Sequence, residues 1–185
     1  RRRGRVRTQF KPVAGDEDEG DEALLMRPQI EAADLPGALA LLESAAASIA
    51  DFWARVAQRP ERIGYHPSIR NFAHDAEGPI FFDTFPPLIH YSREEMGKML
   101  LLFSDKALMR WVGPFLQKKV TGIQDEWYSA PETLVGLVGS ACRLRPNDAE
   151  AYLAWGRDFT QRRMSRWADE ALPHLQEPPR LPGYW

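Results

Sequence analysis

Residues 64 to 87 read GYHPSIRNFAHDAEGPIFFDTFPP, and this stretch decides the fold. Its centre, residues 75–78 (Asp-Ala-Glu-Gly), has the composition of a turn. Short apolar runs flank the turn, at residues 72–73 before it and at residues 80–82 after it. Two such runs joined by a turn predict a small β-hairpin.

A polar residue stands at each open end of the predicted hairpin. Asn71 enters the first strand and Asp83 leaves the second, twelve positions later. If the hairpin closes at its turn, these two side chains become neighbours. An amide oxygen beside a carboxylate is a pair of hard oxygen ligands, of the kind that binds Mg²⁺ and, through it, phosphate. A simpler interpretation stays open, in which Asp83 caps a turn before Pro86 and Asn71 is an ordinary loop residue.

Length and composition restrict the class of protein. A chain of 185 residues with a net charge of −2 fits one domain with a substantial core, and gives no sign of nucleic-acid binding. We found no apolar run of the ~18 residues that a membrane span needs, and no signal peptide. We therefore expect a cytoplasmic protein with no membrane partner. The single cysteine, Cys142, falls in an apolar segment, which predicts a buried, unreactive thiol.

The two ends of the chain differ from its middle. Residues 1–30 are first basic and then acidic, and we predict remnant strands within them at residues 6–10 and 24–26. Because the chain opens with three arginines and not with Met, we also expect further sequence before Arg1. Residues 176–185 are rich in proline and are predicted to run extended over the surface.

Helical periodicity dominates residues 31–175. Asp34 is a good N-cap, and the apolar spacing that follows predicts a buried helix to about residue 58. Further helices are predicted to begin near Ser92, Ser104, Ser129 and Asn147. The predicted fold class is therefore α+β, mostly helical, with a small β-hairpin.

In this order of elements, the chain resembles the C-terminal lobe of the aminoglycoside phosphotransferase and choline kinase superfamily, which is protein-kinase-like. Residues 24–27 resemble the hinge strand, residues 34–58 the first large helix, and residues 64–71 the catalytic loop. Asn71 and Asp83 match the metal-binding Asn and Asp of that family. The resemblance implies a kinase-like C-lobe whose N-lobe is largely absent from this chain.

The same resemblance implies ATP and Mg²⁺ as cofactors. Asn71 and Asp83 would bind the metal. Arg70 adjoins Asn71 in the sequence, so it could contact the phosphates of the nucleotide. Arg70 could instead pair with an acidic residue. The family has a catalytic Asp five residues before the Asn, and this chain has His66 there. That Asp accepts the substrate's proton. His66 could accept a proton near neutral pH, but it does not bring the same negative charge to the metal.

Three functions follow from these residues. The first is a phosphotransferase, with His66 as catalytic base, acting on a hydroxyl of a small molecule, natural product or peptide. The second is a pseudokinase, a non-catalytic binding subunit of a biosynthetic or regulatory complex with a protein partner. The third is a plain helical interaction domain. The missing Asp favours the second function, and the retained Asn71 and Asp83 favour nucleotide binding.

Overall fold

The structure is a computed structural model that describes residues 7–8, 24–82, 88–92, 94–96, 98 and 125–181. Its strands are β1 (Arg7–Thr8), β2 (Phe72–Asp75) and β3 (Gly78–Phe81). Its helices are α1 (Met26–Ala32), α2 (Leu35–Val56), α3 (Ala130–Leu144), α4 (Ala149–Arg163) and α5 (Ala168–Ala171). The prediction of a mostly helical α+β chain with a small hairpin is confirmed.

Helix α3 lies at the centre of the core. Twelve of its fifteen residues are buried, so it has no broad polar face. It packs against α2, α4 and α5. Ser129 caps it as predicted, since the Glu132 amide donates to Ser129 Oγ at 3.4 Å. A helix that is apolar on all sides is stable only when other elements surround it, so α3 organises the fold.

Helix α2 begins at Leu35 as predicted, and Asp34 Oδ1 accepts a hydrogen bond from the Gly37 amide at 2.9 Å. Its 22 residues are long and apolar enough, by length and composition alone, to cross a membrane. The expectation that no segment reaches that length does not hold for this helix. The apolar residues of α2 pack into the core with those of α3 and α4, which is the ordinary role of a core helix.

The hairpin forms where the sequence predicts it. Strands β2 and β3 pair antiparallel, from Phe72 opposite Phe81 to Asp75 opposite Gly78, and β1 adds parallel to β3. Asp75 Oδ1 accepts hydrogen bonds from the amides of Glu77 and Gly78, at 2.7 and 3.1 Å. Gly78 has a φ of 125°, a conformation that glycine adopts without strain. The turn residues therefore satisfy the backbone of the turn locally.

The strand predicted at residues 24–26 is wrong. Only one bridge forms, between Leu25 and Ala73, and α1 begins at the next residue. Pro28 does not prevent this helix, because in the first turn its missing N–H is not needed. Met26 and Ile30 lie one turn apart and are both fully buried, so burial of one helical face decides the conformation.

The predicted helix starts after the hairpin have different outcomes. The capping box at Ser92 is confirmed, with Glu95 N donating to Ser92 Oγ at 3.2 Å and Ser92 N to Glu95 Oε2 at 2.8 Å. The helix start near Ser104 lies outside the described residues. The cap predicted at Asn147 is wrong, because the N-cap of α4 is Asp148 and it makes no side-chain cap bond. The Asp148 carboxylate pairs instead with Arg145 at 2.6 Å.

Replacing Thr133 by Val tests the hydrogen bond that joins α2 to α3. Trp53 Nε1 donates to Thr133 Oγ1 at 2.8 Å, and both residues are buried. Valine keeps the shape of threonine but leaves the indole N–H without an acceptor. We expect the free energy of unfolding to fall by about 1–3 kcal/mol, measured by urea denaturation.

Thr160→Val is the matched control. Thr160 is equally buried, but its hydroxyl only donates to Gly156 O within α4, at 2.7 Å. Its loss leaves no buried donor unpaired, so a smaller effect is expected. Equal losses in the two variants would contradict the role given to the Trp53–Thr133 bond.

The Cys142 thiol should make stability fall at high pH. Burial raises the pKa of Cys142 to about 11, whereas an exposed thiol has a pKa of about 8.5. As the pH rises, the unfolded chain therefore loses this proton first, and the stability linked to the neutral thiol is lost between these two values. We expect wild type to lose more free energy of unfolding than Cys142→Ala between pH 8.5 and 10. Parallel curves for the two proteins would show that this thiol is not protected.

Candidate functional site

The loop at residues 64–71 runs from the end of α2 towards β2 and is buried from Gly64 to Ile69. Backbone bonds hold it on two sides, because Gly64 N donates to Leu88 O at 2.7 Å and Tyr65 N donates to Trp127 O at 2.6 Å. A Cβ on Gly64 would lie 2.7 Å from the Tyr128 ring, so only glycine fits there without a shift. The loop is a fixed part of the core surface.

His66 lies inside this loop with only 5% of its surface exposed. Its ring stacks on Trp127, with ring centroids 4.3 Å apart and planes 22° from parallel. Trp127 is fully buried and belongs to the 3₁₀ turn Asp125–Tyr128 that precedes α3. The residue proposed from the sequence as a catalytic base is therefore covered by an aromatic ring.

Asn71 ends the loop and is fixed at two points. Its side-chain Nδ2 donates to His66 O at 2.8 Å and lies 3.4 Å from His66 Nδ1. Its backbone O accepts a hydrogen bond from Phe82 N at 2.9 Å, so the second strand leaves the hairpin directly beside Asn71. Within the described part of the chain, Asn71 Oδ1 accepts no hydrogen bond. The amide is thus oriented with its oxygen available to a ligand.

Asp83 follows Phe82 but lies outside the described residues. Its predicted approach to Asn71 therefore stays a prediction. Among the residues that are described, no group of three or more His, Cys, Asp or Glu side chains could hold a metal ion. A site made by Asn71 and Asp83 would be of another kind, since it combines one amide oxygen with one carboxylate.

Arg70 is exposed and adjoins Asn71 in sequence, but it lines a separate cavity of about 130 Å³. The sequence analysis missed its companions there, Arg27 of α1 and both Ser140 and Arg143 of α3. The sequence could have grouped only two of these residues in advance, because Ser140 and Arg143 are three residues apart on a helix and therefore share a face. Nothing local relates them to Arg70, because the approach of α3 to the loop is a tertiary contact.

Changing Asn71 to Asp should weaken the loop. The new carboxylate would place an acceptor opposite the His66 carbonyl, where Nδ2 now donates. We expect a loss of about 1–3 kcal/mol in the free energy of unfolding, measured by urea denaturation. Asn147→Asp makes the same chemical change at an exposed residue and should stay within about 0.5 kcal/mol of wild type. A loss of the same size in both variants would argue against an anchoring role for Asn71.

Comparison with known proteins gives a family but no function. Neither the curated proteins nor the solved structures contain a match to this chain. A family model described as "Family of unknown function (DUF6206)" matches residues 14–185. Because that match spans nearly the whole sequence, the chain belongs to the DUF6206 family.

Proposed function

We propose that this chain is a kinase-like domain that binds ATP together with Mg²⁺, and that Asn71 and Asp83 hold the metal. The observation that supports this proposal is the double attachment of Asn71. One bond ties its side chain to His66 O, five residues earlier, and another ties its backbone to Phe82 N. Together they orient one amide oxygen at the base of the hairpin, beside the strand end that leads to Asp83.

The donor chemistry of these residues suits Mg²⁺, which prefers oxygen ligands from carboxylates and carbonyl groups. The Asn71 nitrogen is occupied by the His66 carbonyl, and its Oδ1 accepts no bond from the described residues. This is the arrangement that an amide ligand needs. When bound, Mg²⁺ would neutralise charge on the phosphates of the nucleotide.

The order and packing of the elements also support the proposal. The long helix α2 precedes the loop, the hairpin follows it and packs against α1 and α2, and the buried helix α3 contacts the end of the loop. The kinase-like resemblance implies a long helix, a loop and a hairpin in this order, followed by helices.

The burial of His66 favours a non-catalytic role, that of a pseudokinase, over phosphoryl transfer. A general base must come within about 2.6–3.2 Å of the proton it takes, directly or through one water. His66 is 5% exposed and stacked under Trp127, so its ring is not presented to a substrate. The phosphotransferase stays the second candidate because His66 Nδ1 lies only 3.4 Å from Asn71 Nδ2, next to the proposed metal ligands.

A thermal-shift titration with ATP and Mg²⁺ tests the binding proposal. We expect the melting temperature of wild type to rise with ATP–Mg²⁺, and the rise to shrink when EDTA removes the metal. Asp83→Ala should abolish the rise, because it removes the carboxylate ligand. Asp169→Ala, at an exposed position on α5, is the matched control and should respond as wild type. An absent rise in wild type, or an equal rise in both variants, would refute nucleotide binding through Asp83.

Release of ADP from ATP separates the two candidates. The non-catalytic role predicts nucleotide binding without release of ADP above the Asp83→Ala background. His66→Phe keeps an aromatic ring against Trp127 but removes the proton acceptor. Release of ADP by wild type that disappears in His66→Phe would establish His66 as a catalytic base and reverse the preference stated above.

A further inference from the structure

The cavity beside Arg70 has the lining of an anion site. Three arginines surround it, namely Arg27 from α1, Arg70 from the loop and Arg143 from the last turn of α3. Two serines, Ser68 and Ser140, complete its polar wall, and none of the described residues that line it carries a carboxylate. Side chains from three separate elements thus bring positive charge and hydrogen-bond donors to one point.

Two of the three arginines have described contacts that hold their side chains in place. Arg27 Nε donates to Glu31 Oε1 at 3.2 Å, an exposed pair of the kind that contributes little. Arg143 donates to the backbone O of Leu181 at 2.9 Å, and this anchors its side chain. Arg70 makes no ion pair with any residue in the described ranges. An anion in the cavity would therefore gain from its charge and from preset donors.

The two serines point to a ligand independently of the charge. Ser140 is 8% exposed, and its buried Oγ finds no hydrogen-bond partner among the residues that are described. A helical serine usually bonds to the carbonyl one turn earlier, so an unpaired buried hydroxyl has a cost in free energy. Rotation of this hydroxyl towards a ligand in the cavity would remove that cost. Ser68 is 1% exposed, and its Oγ accepts from Arg70 N at 3.4 Å, which leaves its hydroxyl proton to donate.

The size of the cavity limits the ligand. A volume of about 130 Å³ is well below the roughly 300–1,000 Å³ of pockets that enclose whole cofactors or drug-sized molecules. It exceeds the volume that one water molecule occupies in the liquid, about 30 Å³. The cavity therefore suits one charged group. Guanidinium groups match the oxygens of phosphate in a bidentate manner, and hydroxyl donors add to them.

We propose that this cavity binds the phosphoryl group of a phosphate monoester, as a site separate from that of ATP–Mg²⁺. Asn71 is not among the described residues that line it, so the cavity is distinct from the amide ligand of the proposed metal site. Arg70, which its position next to Asn71 predicted to contact the nucleotide, is assigned here to the second ligand. If the chain binds ATP as proposed, a phosphorylated compound would lie beside the loop that holds Asn71.

Isothermal titration calorimetry with inorganic phosphate, at constant ionic strength and without Mg²⁺, tests the site. We expect saturable binding of phosphate to wild type. The affinity of Arg70→Ala should be lower by roughly tenfold or more, because a charge-assisted bond is lost. Arg55→Ala, an exposed arginine of α2 away from the cavity, is the matched control and should bind as wild type. Absent binding in wild type, or equal affinities for the two variants, overturns the proposal.

Ser140→Ala separates a role in binding from a role in folding. The change removes an unpaired buried hydroxyl and introduces the best helix former, so the melting temperature should stay level or rise. Phosphate should nevertheless bind several-fold more weakly. A lower melting temperature with unchanged phosphate affinity would show that Ser140 is structural, and would overturn its part in the site.

To decide the source of the phosphoryl group, Asp83→Ala and Arg70→Ala are each tested in both assays, the phosphate titration and the thermal shift with ATP–Mg²⁺. A separate site predicts that Asp83→Ala keeps phosphate binding and that Arg70→Ala keeps the thermal response to ATP–Mg²⁺. Loss of both responses in Arg70→Ala would place the phosphoryl group on the nucleotide and overturn the separate site. If ATP–Mg²⁺ gives no response even in wild type, the proposed function fails, while the phosphate titration still judges this cavity.

Discussion

The burial of twelve of the fifteen residues of helix α3 is the constraint on which the rest of the structure depends. A helix without a polar face must be covered on every side, and α2, α4 and α5 provide this cover. The contacts are close, because a Cβ on Gly156 of α4 would lie 2.9 Å from Val138 and one on Gly139 would lie 2.7 Å from Leu181. In such a close-packed interior, the position of α3 fixes that of its neighbours.

The loop at residues 64–71 contacts the core near both ends of this one helix. The turn that leads into α3 carries Trp127, which covers His66 and accepts a bond from the Tyr65 amide. The last turns of α3 carry Ser140 and Arg143, which line the cavity beside Arg70. The loop therefore contacts the core at two points. Its rigidity follows from the burial of α3, and the orientation of the Asn71 amide follows from the rigidity of the loop.

Local chemistry made part of this fold predictable. Asp34 and Ser129 cap helices, and Asp75 closes the hairpin turn, because each side chain satisfies backbone groups within three residues. The prediction was wrong at residues 24–26, where Leu25 forms one bridge and burial of a helical face then takes over. It was wrong at Asn147 as well, where the neighbouring Asp148 is drawn to Arg145 instead of to the helix end.

The sequence by itself determined the places where backbone groups must be satisfied locally: the helix caps, the hairpin turn, and the spacing that sets Asn71 at the base of the hairpin. Only the tertiary structure decided which distant side chains meet. His66 is covered by a tryptophan 61 positions away, and Arg70 faces a helix that begins 60 positions after it. Caps and turns depend on neighbours in the chain, whereas ring stacking and cavities depend on how the helices surround α3.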